Sequence, residues 1–146
     1  MMPRFALPLS LVLLVGLQRP PEEDAVRFTA IDVYADAGEK GLAAYQIEIL
    51  CAEARSRIVG VEGGETKHYS EAPYHDPAAL QGGRIIIGAF TTEEKPPAGR
   101  TRVARIHFQE TGPGEPRYTA RLMAAASPGG ARVDAKIDLL RTGGSK

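Results

Sequence analysis

Residues able to do chemistry crowd into one stretch of this 146-residue chain, Glu65 to Gly83, which carries His68, Tyr69, Glu71, Tyr74, His75 and Asp76. Two imidazoles and a carboxylate are a donor set that Zn²⁺ accepts in tetrahedral geometry, so His68, His75 and Asp76 are the metal candidates. Six residues separate the two histidines and Asp76 follows the second directly, a spacing that matches no standard zinc signature. A small metal-dependent hydrolase using this loop is the enzymatic alternative. As a contact surface, the same stretch offers Tyr69, Tyr74, His75 and Asp76, rings with apolar bodies and polar tips beside a carboxylate. The plainest reading is a loop whose tyrosines and prolines pack on a sheet end while its histidines face solvent. Asp76-Pro77 ahead of Ala78-Ala79-Leu80 is then a helix-start or turn signal.

Other candidates are sparser. Asp32, Asp36 and Glu39 could hold Ca²⁺ as a cofactor through oxygen ligands, but they form no EF-hand pattern and read more simply as turn acids. His107 alternates with arginines on the polar side of a strand and belongs at the surface. Cys51 ends the apolar side of another and reads as a buried, inert thiol. Nucleophilic hydrolase vocabulary is missing: there is no G-x-S-x-G and no H-E-x-x-H, and there are only five serines. Glu93-Glu94 sit side by side in a loop, where glycosidase carboxylates would face each other across a cleft. The expectation is a protein that is not an enzyme.

The elements that must position these residues are short alternating runs between Gly and Pro punctuation. Arg27–Ala35 puts Ile31, Val33 and Ala35 on one face, with Asp32 and Tyr34 on the other. Leu42–Cys51 opposes Tyr45, Ile47, Ile49 and Cys51 to Gln46 and Glu48, a period of 2 that favours strand over the helix its Ala, Leu, Gln and Glu content would allow. Arg57–Glu62 is a third run. Arg84–Phe90 is nearly continuous in apolar residues and predicts a strand covered on both faces. Thr101–Gln109 sets Ala104, Ile106 and Phe108 against Val103, Arg105 and His107. Arg117–Ala125 sets Tyr118, Ala120, Leu122 and Ala124 against Arg117, Thr119, Arg121 and Met123, and Arg132–Leu140 alternates likewise. These last three, joined by Gly/Pro turns, predict one antiparallel sheet. The whole reads as an all-β, antiparallel β-sandwich with about seven to nine strands over 27–141, and a disordered tail over 142–146.

The order of these segments resembles the cohesin-like domains of the carbohydrate-binding-module superfamily. The resemblance rests on Gly41-Leu-Ala-Ala-Tyr45-Gln-Ile47-Glu-Ile49, Ile58-Val-Gly-Val61-Glu-Gly63, Gly83-Arg-Ile85-Ile-Ile87-Gly88 and Gly99-Arg-Thr101-Arg-Val103-Ala104-Arg-Ile106-His-Phe108. The match covers roughly 27 to 140. The cohesin turn Y-D-P-x-x-L is replaced after the second strand by Ala52-Glu-Ala-Arg-Ser56, and a similar string, Tyr74-His-Asp76-Pro77-Ala-Ala-Leu80, comes only later. The resemblance implies a jelly-roll-like sandwich that grips a dockerin-like protein module or serves polysaccharide-degrading assemblies. It transfers the fold and no binding residue.

Composition narrows the partners. Eighteen basic and eighteen acidic residues balance, the thirteen arginines are scattered, and nothing draws the chain to nucleic acid. There is no Asn to accept N-glycans and no Trp to stack on sugars or bases. A lone cysteine leaves no internal disulfide, so packing alone must hold the fold. Arg4 ahead of the uncharged run Phe5 to Leu17 has the layout of a secretory signal over 1–18, shorter than a membrane span, with a polar linker over 19–26. No A-x-A site closes the run, so an uncleaved leader would tether the domain to a membrane. The expectation is a secreted or cell-envelope, non-catalytic module that binds a protein partner or a polysaccharide; a structural cell-envelope or surface domain is the alternative within that setting.

Overall fold

The computed structural model describes residues 25–53 and 55–144. The expected leader, the linker up to residue 24 and the last two residues of the expected tail lie outside the described residues. Seven strands follow in order: β1 (Val26–Asp36), β2 (Ala44–Cys51), β3 (Ser56–Gly63), β4 (Arg84–Phe90), β5 (Arg100–Thr111), β6 (Tyr118–Ala126) and β7 (Lys136–Gly144). Single turns of 3-10 helix interrupt the connections at Gly38–Lys40, Lys67–Tyr69 and Pro77–Ala79. One antiparallel sheet has the order β3-β5-β1-β7, the other β4-β2-β6. Packed face to face they form a β-sandwich. Its core is mainly aliphatic, with Ile31 and Val33 from β1, Ile47 and Ile49 from β2, Ile58 from β3, Ile85 and Ile87 from β4, and Val103 and Ile106 from β5, joined by the ring of Phe108.

Alternation fixes which face of a strand is buried, and here it succeeds. β2 alternates buried and open positions along its length, as a half-covered strand must. Alternation does not fix neighbours. The three C-terminal runs, expected in one sheet, divide: β5 and β7 flank β1 while β6 pairs with β2. Each chain crossing between layers lets a one-sided strand find the same core from the opposite side. β4, expected to be covered on both faces, is an edge strand of the smaller sheet; Ile85 and Ile87 are buried, but Phe90 is exposed.

Bulges account for the other departures. Pairing between β1 and β5 jumps from Val33↔Ala104 to Tyr34↔Arg102, so Val103 is an extra residue. An extra residue turns the following side chains to the opposite face. Val103, expected on the polar side, is therefore buried along with Ala104. Between β2 and β6 the pairing skips Met123, which exposes Ala124 and buries Ala125, reversing the expectation for Ala124. β7 begins at Lys136, four residues later than expected, and runs through Thr142 to Gly144, so these tail residues are strand rather than disordered. Val133 and Ala135 still point inward, as coil that closes the flank beside β6. Val26 belongs to β1 rather than to the linker.

Polar side chains also reach the interior. Glu110, on β5, is 0% exposed. Its carboxylate meets Arg27 of β1 at 3.2 Å and Arg141 of β7 at 2.8 Å, and accepts the Tyr118 hydroxyl of β6 at 2.7 Å. Ser56 of β3 lies 2.7 Å from the same hydroxyl. One carboxylate thus ties β1, β6 and β7, strands of both sheets, to β5, and the Tyr118 hydroxyl extends the network to β3. Burial, with the Glu110 carboxylate alongside, pushes the Tyr118 phenol well above its ordinary range.

Candidate functional site

The 65–83 connection is fastened before it can present anything. Gly63 and Gly64 turn it out of β3, and a Cβ at Gly63 would collide with the Ser70 carbonyl. Gly64 N–H then donates to the Tyr69 carbonyl. Tyr69 is 2% exposed, its hydroxyl donates to the Leu42 carbonyl at 2.6 Å, and its ring meets Tyr45 edge-on with centroids 5.3 Å apart. Burial pushes the Tyr69 phenol up to about 12. Tyr69 therefore does not join the expected surface patch; it is a core anchor, because its ring completes the apolar end between the sheets. At the far end Gln81 N–H donates to Ile58 O and Ile58 N–H to Gly82 O, closing the free edge of β3.

Between these anchors the loop is hydrogen-bonded to β4 at one residue pair. Tyr74 N–H donates to Gly88 O at 2.8 Å and Gly88 N–H to Tyr74 O at 3.0 Å. Gly88 therefore points its backbone groups away from β2, and by alternation Arg84 and Ile86 do the same. No hydrogen bond outside the strand pairing engages the outward amide or carbonyl of Ile86 among the described residues. The Tyr74 ring is 87% exposed, and Phe90, two residues from Gly88 on the same face of β4, is 76% exposed. Glycine between them leaves a notch: its floor is the Gly88 backbone, its walls Tyr74, Phe90, Ile86 and Gln46. It is part of an open groove of about 1420 Å³ that Glu71, His75, Asp76 and Glu93 also line.

The metal candidates are not brought together. His68 packs against the 91–95 loop, with Nε2 3.4 Å from the Glu94 carbonyl and 4.0 Å from the Glu93 carboxylate. Its side chain is 9% exposed, and its Nδ1 has no partner among the described residues. His75 Nδ1 lies 3.0 Å from the Pro73 carbonyl, and Asp76 accepts the Ala78 N–H at 2.9 Å, capping the Pro77–Ala79 turn as its sequence suggested. No three His, Cys, Asp or Glu side chains converge on a common point among the described residues. The oxygens considered for Ca²⁺ have other partners: Asp32 receives both Nε and Nη2 of Arg105 at 2.6 and 3.0 Å, and Asp36 receives the Gly38 N–H. Cys51 is buried, as its position predicted.

The larger sheet carries mutually satisfied charges on its outer face, and its strands β1 and β7 also leave Val26, Phe28 and Leu140 about half exposed, less than Tyr74 and Phe90. Besides Asp32–Arg105, His107 lies 3.0 Å from Glu62 and holds that carboxyl below its usual range, and Arg100 sits 3.6 Å above the Tyr34 ring. On the smaller sheet Arg84 and Arg121 both grip Glu48, lowering its carboxyl pKa, with the hydrogen bond from Arg84 the largest cause. That triad borders the notch and leaves the aromatic end bare.

Sequence reasoning missed Phe90 and Gly88. The signal was available: Arg84, Ile86, Gly88 and Phe90 share one parity, opposite to Ile85 and Ile87, so a one-sided β4 would have put Phe90 outside. No protein-family model matches this chain, and neither a curated protein nor a solved structure does.

Proposed function

We propose that the chain is an exported, non-catalytic binding module that holds a protein partner or a polysaccharide against the outer face of its smaller sheet. The observation that carries this reading is the pair Tyr74 and Phe90, two aromatic side chains held almost wholly in solvent by strand-paired backbone. Exposed rings of this kind lose apolar hydration when a partner covers them and cost little conformational entropy to fix, since their backbone is already ordered. The cohesin-like order of strands supports a contact role. The signal-like layout of Arg4 ahead of the uncharged run Phe5 to Leu17 supports a site of action outside the cytoplasm. The test is capture from culture medium and envelope fractions, alongside depletion onto insoluble polysaccharides, with the wild-type chain and a Tyr74→Ser/Phe90→Ser variant. Retention of a defined ligand by the wild type and its loss from the equally stable variant is the expected result; equal retention by both would overturn the assignment of this face.

A further inference from the structure

The walls of the notch narrow the ligand's chemistry. Resting on the reading above, we propose that the notch receives a cationic side chain, a lysine or arginine presented by an extended segment of a protein partner. Tyr74 pairs with Gly88 and Phe90 lies two residues along β4, so two largely exposed aromatic rings, each with a π-face, flank the glycine. A cation over such a face is attracted by the ring quadrupole, more strongly as water is displaced. Ile86 and the glycine floor supply apolar surface for the methylene stem that Lys and Arg carry behind their charge.

The charge of the groove has the matching sign. Three carboxylates line it, Glu71, Asp76 and Glu93, against the cations Lys67 and Arg84. Lys67 is engaged by Glu93 at 3.3 Å and Arg84 by Glu48 of β2. Glu71 and Asp76 have no ion-pair partner among the described residues, and together they outweigh the single net positive charge of the Glu48–Arg84–Arg121 triad, so the balance beside the rings is negative. A neutral polysaccharide would gain nothing from that charge and an anionic one would be repelled. The unengaged outward amide and carbonyl of Ile86, next to the Tyr74·Gly88 bridge, fit a peptide backbone arriving in extended form.

The experiment measures fluorescence anisotropy of labelled peptides Thr-Val-Thr-X-Thr-Val-Thr with the purified full chain, X being Lys, Arg, Gln or Glu. Lys and Arg peptides are expected to bind about fivefold or more tightly than the Gln peptide, with the Glu peptide weakest. That preference should shrink as ionic strength rises from about 0.05 to about 0.5 M. Glu71→Gln with Asp76→Asn should reduce the preference and remove most of its salt dependence, Tyr74→Ala should weaken the cationic peptides, and Arg117→Gln at the opposite end of the sandwich should change neither. Melting curves show whether each variant is folded, and the surface pair Glu71/Tyr74 keeps the test open if Asp76→Asn disturbs its turn. Equal affinity for Lys and Gln peptides, or no peptide binding, overturns the inference. A cello-oligosaccharide bound through Tyr74 and Phe90 while every peptide fails would overturn it too, and would leave the contact-module reading standing.

Discussion

Removing the charge of Glu110 while keeping its shape, Glu110→Gln, should be among the most damaging conservative changes in the molecule. Its carboxylate is fully buried and holds Arg27, Arg141 and the Tyr118 hydroxyl at once. Breaking a buried ion pair from one side costs about 3–5 kcal/mol, because the partner charge stays behind without compensation. Both arginines keep about a quarter of their side chains in solvent (29% and 25%), so the stranded charges can partly rehydrate. The amide oxygen can still accept from Tyr118. These two reliefs place the loss at the lower end, about 3 kcal/mol, which for a domain of this size lowers the melting temperature by roughly 10 °C. Urea unfolding followed by far-UV circular dichroism measures it, with the exposed Glu39→Gln as control, expected within about 0.5 kcal/mol of wild type. A Glu110→Gln loss below about 1 kcal/mol, or one equal to the control, would refute the claim that this carboxylate clamps β1, β6 and β7 to β5.

Three further outcomes follow from the packing. Tyr45, Tyr69 and Tyr118 are phenols whose protonated form burial favours, so their native pKa values lie above those of the unfolded chain. The stability this gives is complete below about pH 10 and is lost as pH climbs through the native values, so alkaline unfolding should begin above about pH 10. Phenolate absorbance from these three should appear together with loss of the β-sheet signal; phenolate formation well before unfolding would contradict the burial argument. Gly63→Ala should cost about 2 kcal/mol or more, since the new methyl would overlap the Ser70 carbonyl; chemical denaturation showing no loss would mean the loop yields. Asp32→Ala should cost about 2 kcal/mol by stranding Arg105 on the central strands, while Glu62→Gln on the same face should stay within about 0.5 kcal/mol. Comparable effects would mean that burial of Asp32 adds nothing.

Much of the sandwich was legible in the sequence because a period of 2 is imposed by strand geometry itself. Tyr45-Gln-Ile47-Glu-Ile49 could bury one face only as a strand, and β2 does so. What a period cannot carry is a change of phase. Val103 and Met123 each add one residue against a partner strand that lacks it, and nothing local to either residue reports the partner. The assignment of strands to sheets was hidden for the same reason: Ala120 and Ile137 need a core, and alternation does not say from which side. Glu110 was illegible because a glutamate at a strand end is normally solvated; only the folded chain brings two arginines and a tyrosine to it. At the candidate site the structure separates residues that the sequence grouped together. Tyr74, His75 and Asp76 line the groove, Tyr69 is buried instead, and Phe90 replaces it at the surface. Tyr69 and Tyr74 look alike in sequence. They part because Tyr69 lies over the open end of the core and Tyr74 pairs with the outer edge of β4.

The central claim, that the Tyr74–Phe90 face makes the contact, is tested most directly by amide hydrogen exchange on the chain with and without its captured ligand. Protection should rise at Tyr74, Ile86, Gly88 and Phe90 and stay unchanged at Asp32, Arg105 and His107 on the opposite sheet. Protection that appears on the larger sheet instead, with the notch amides unaltered, would contradict it.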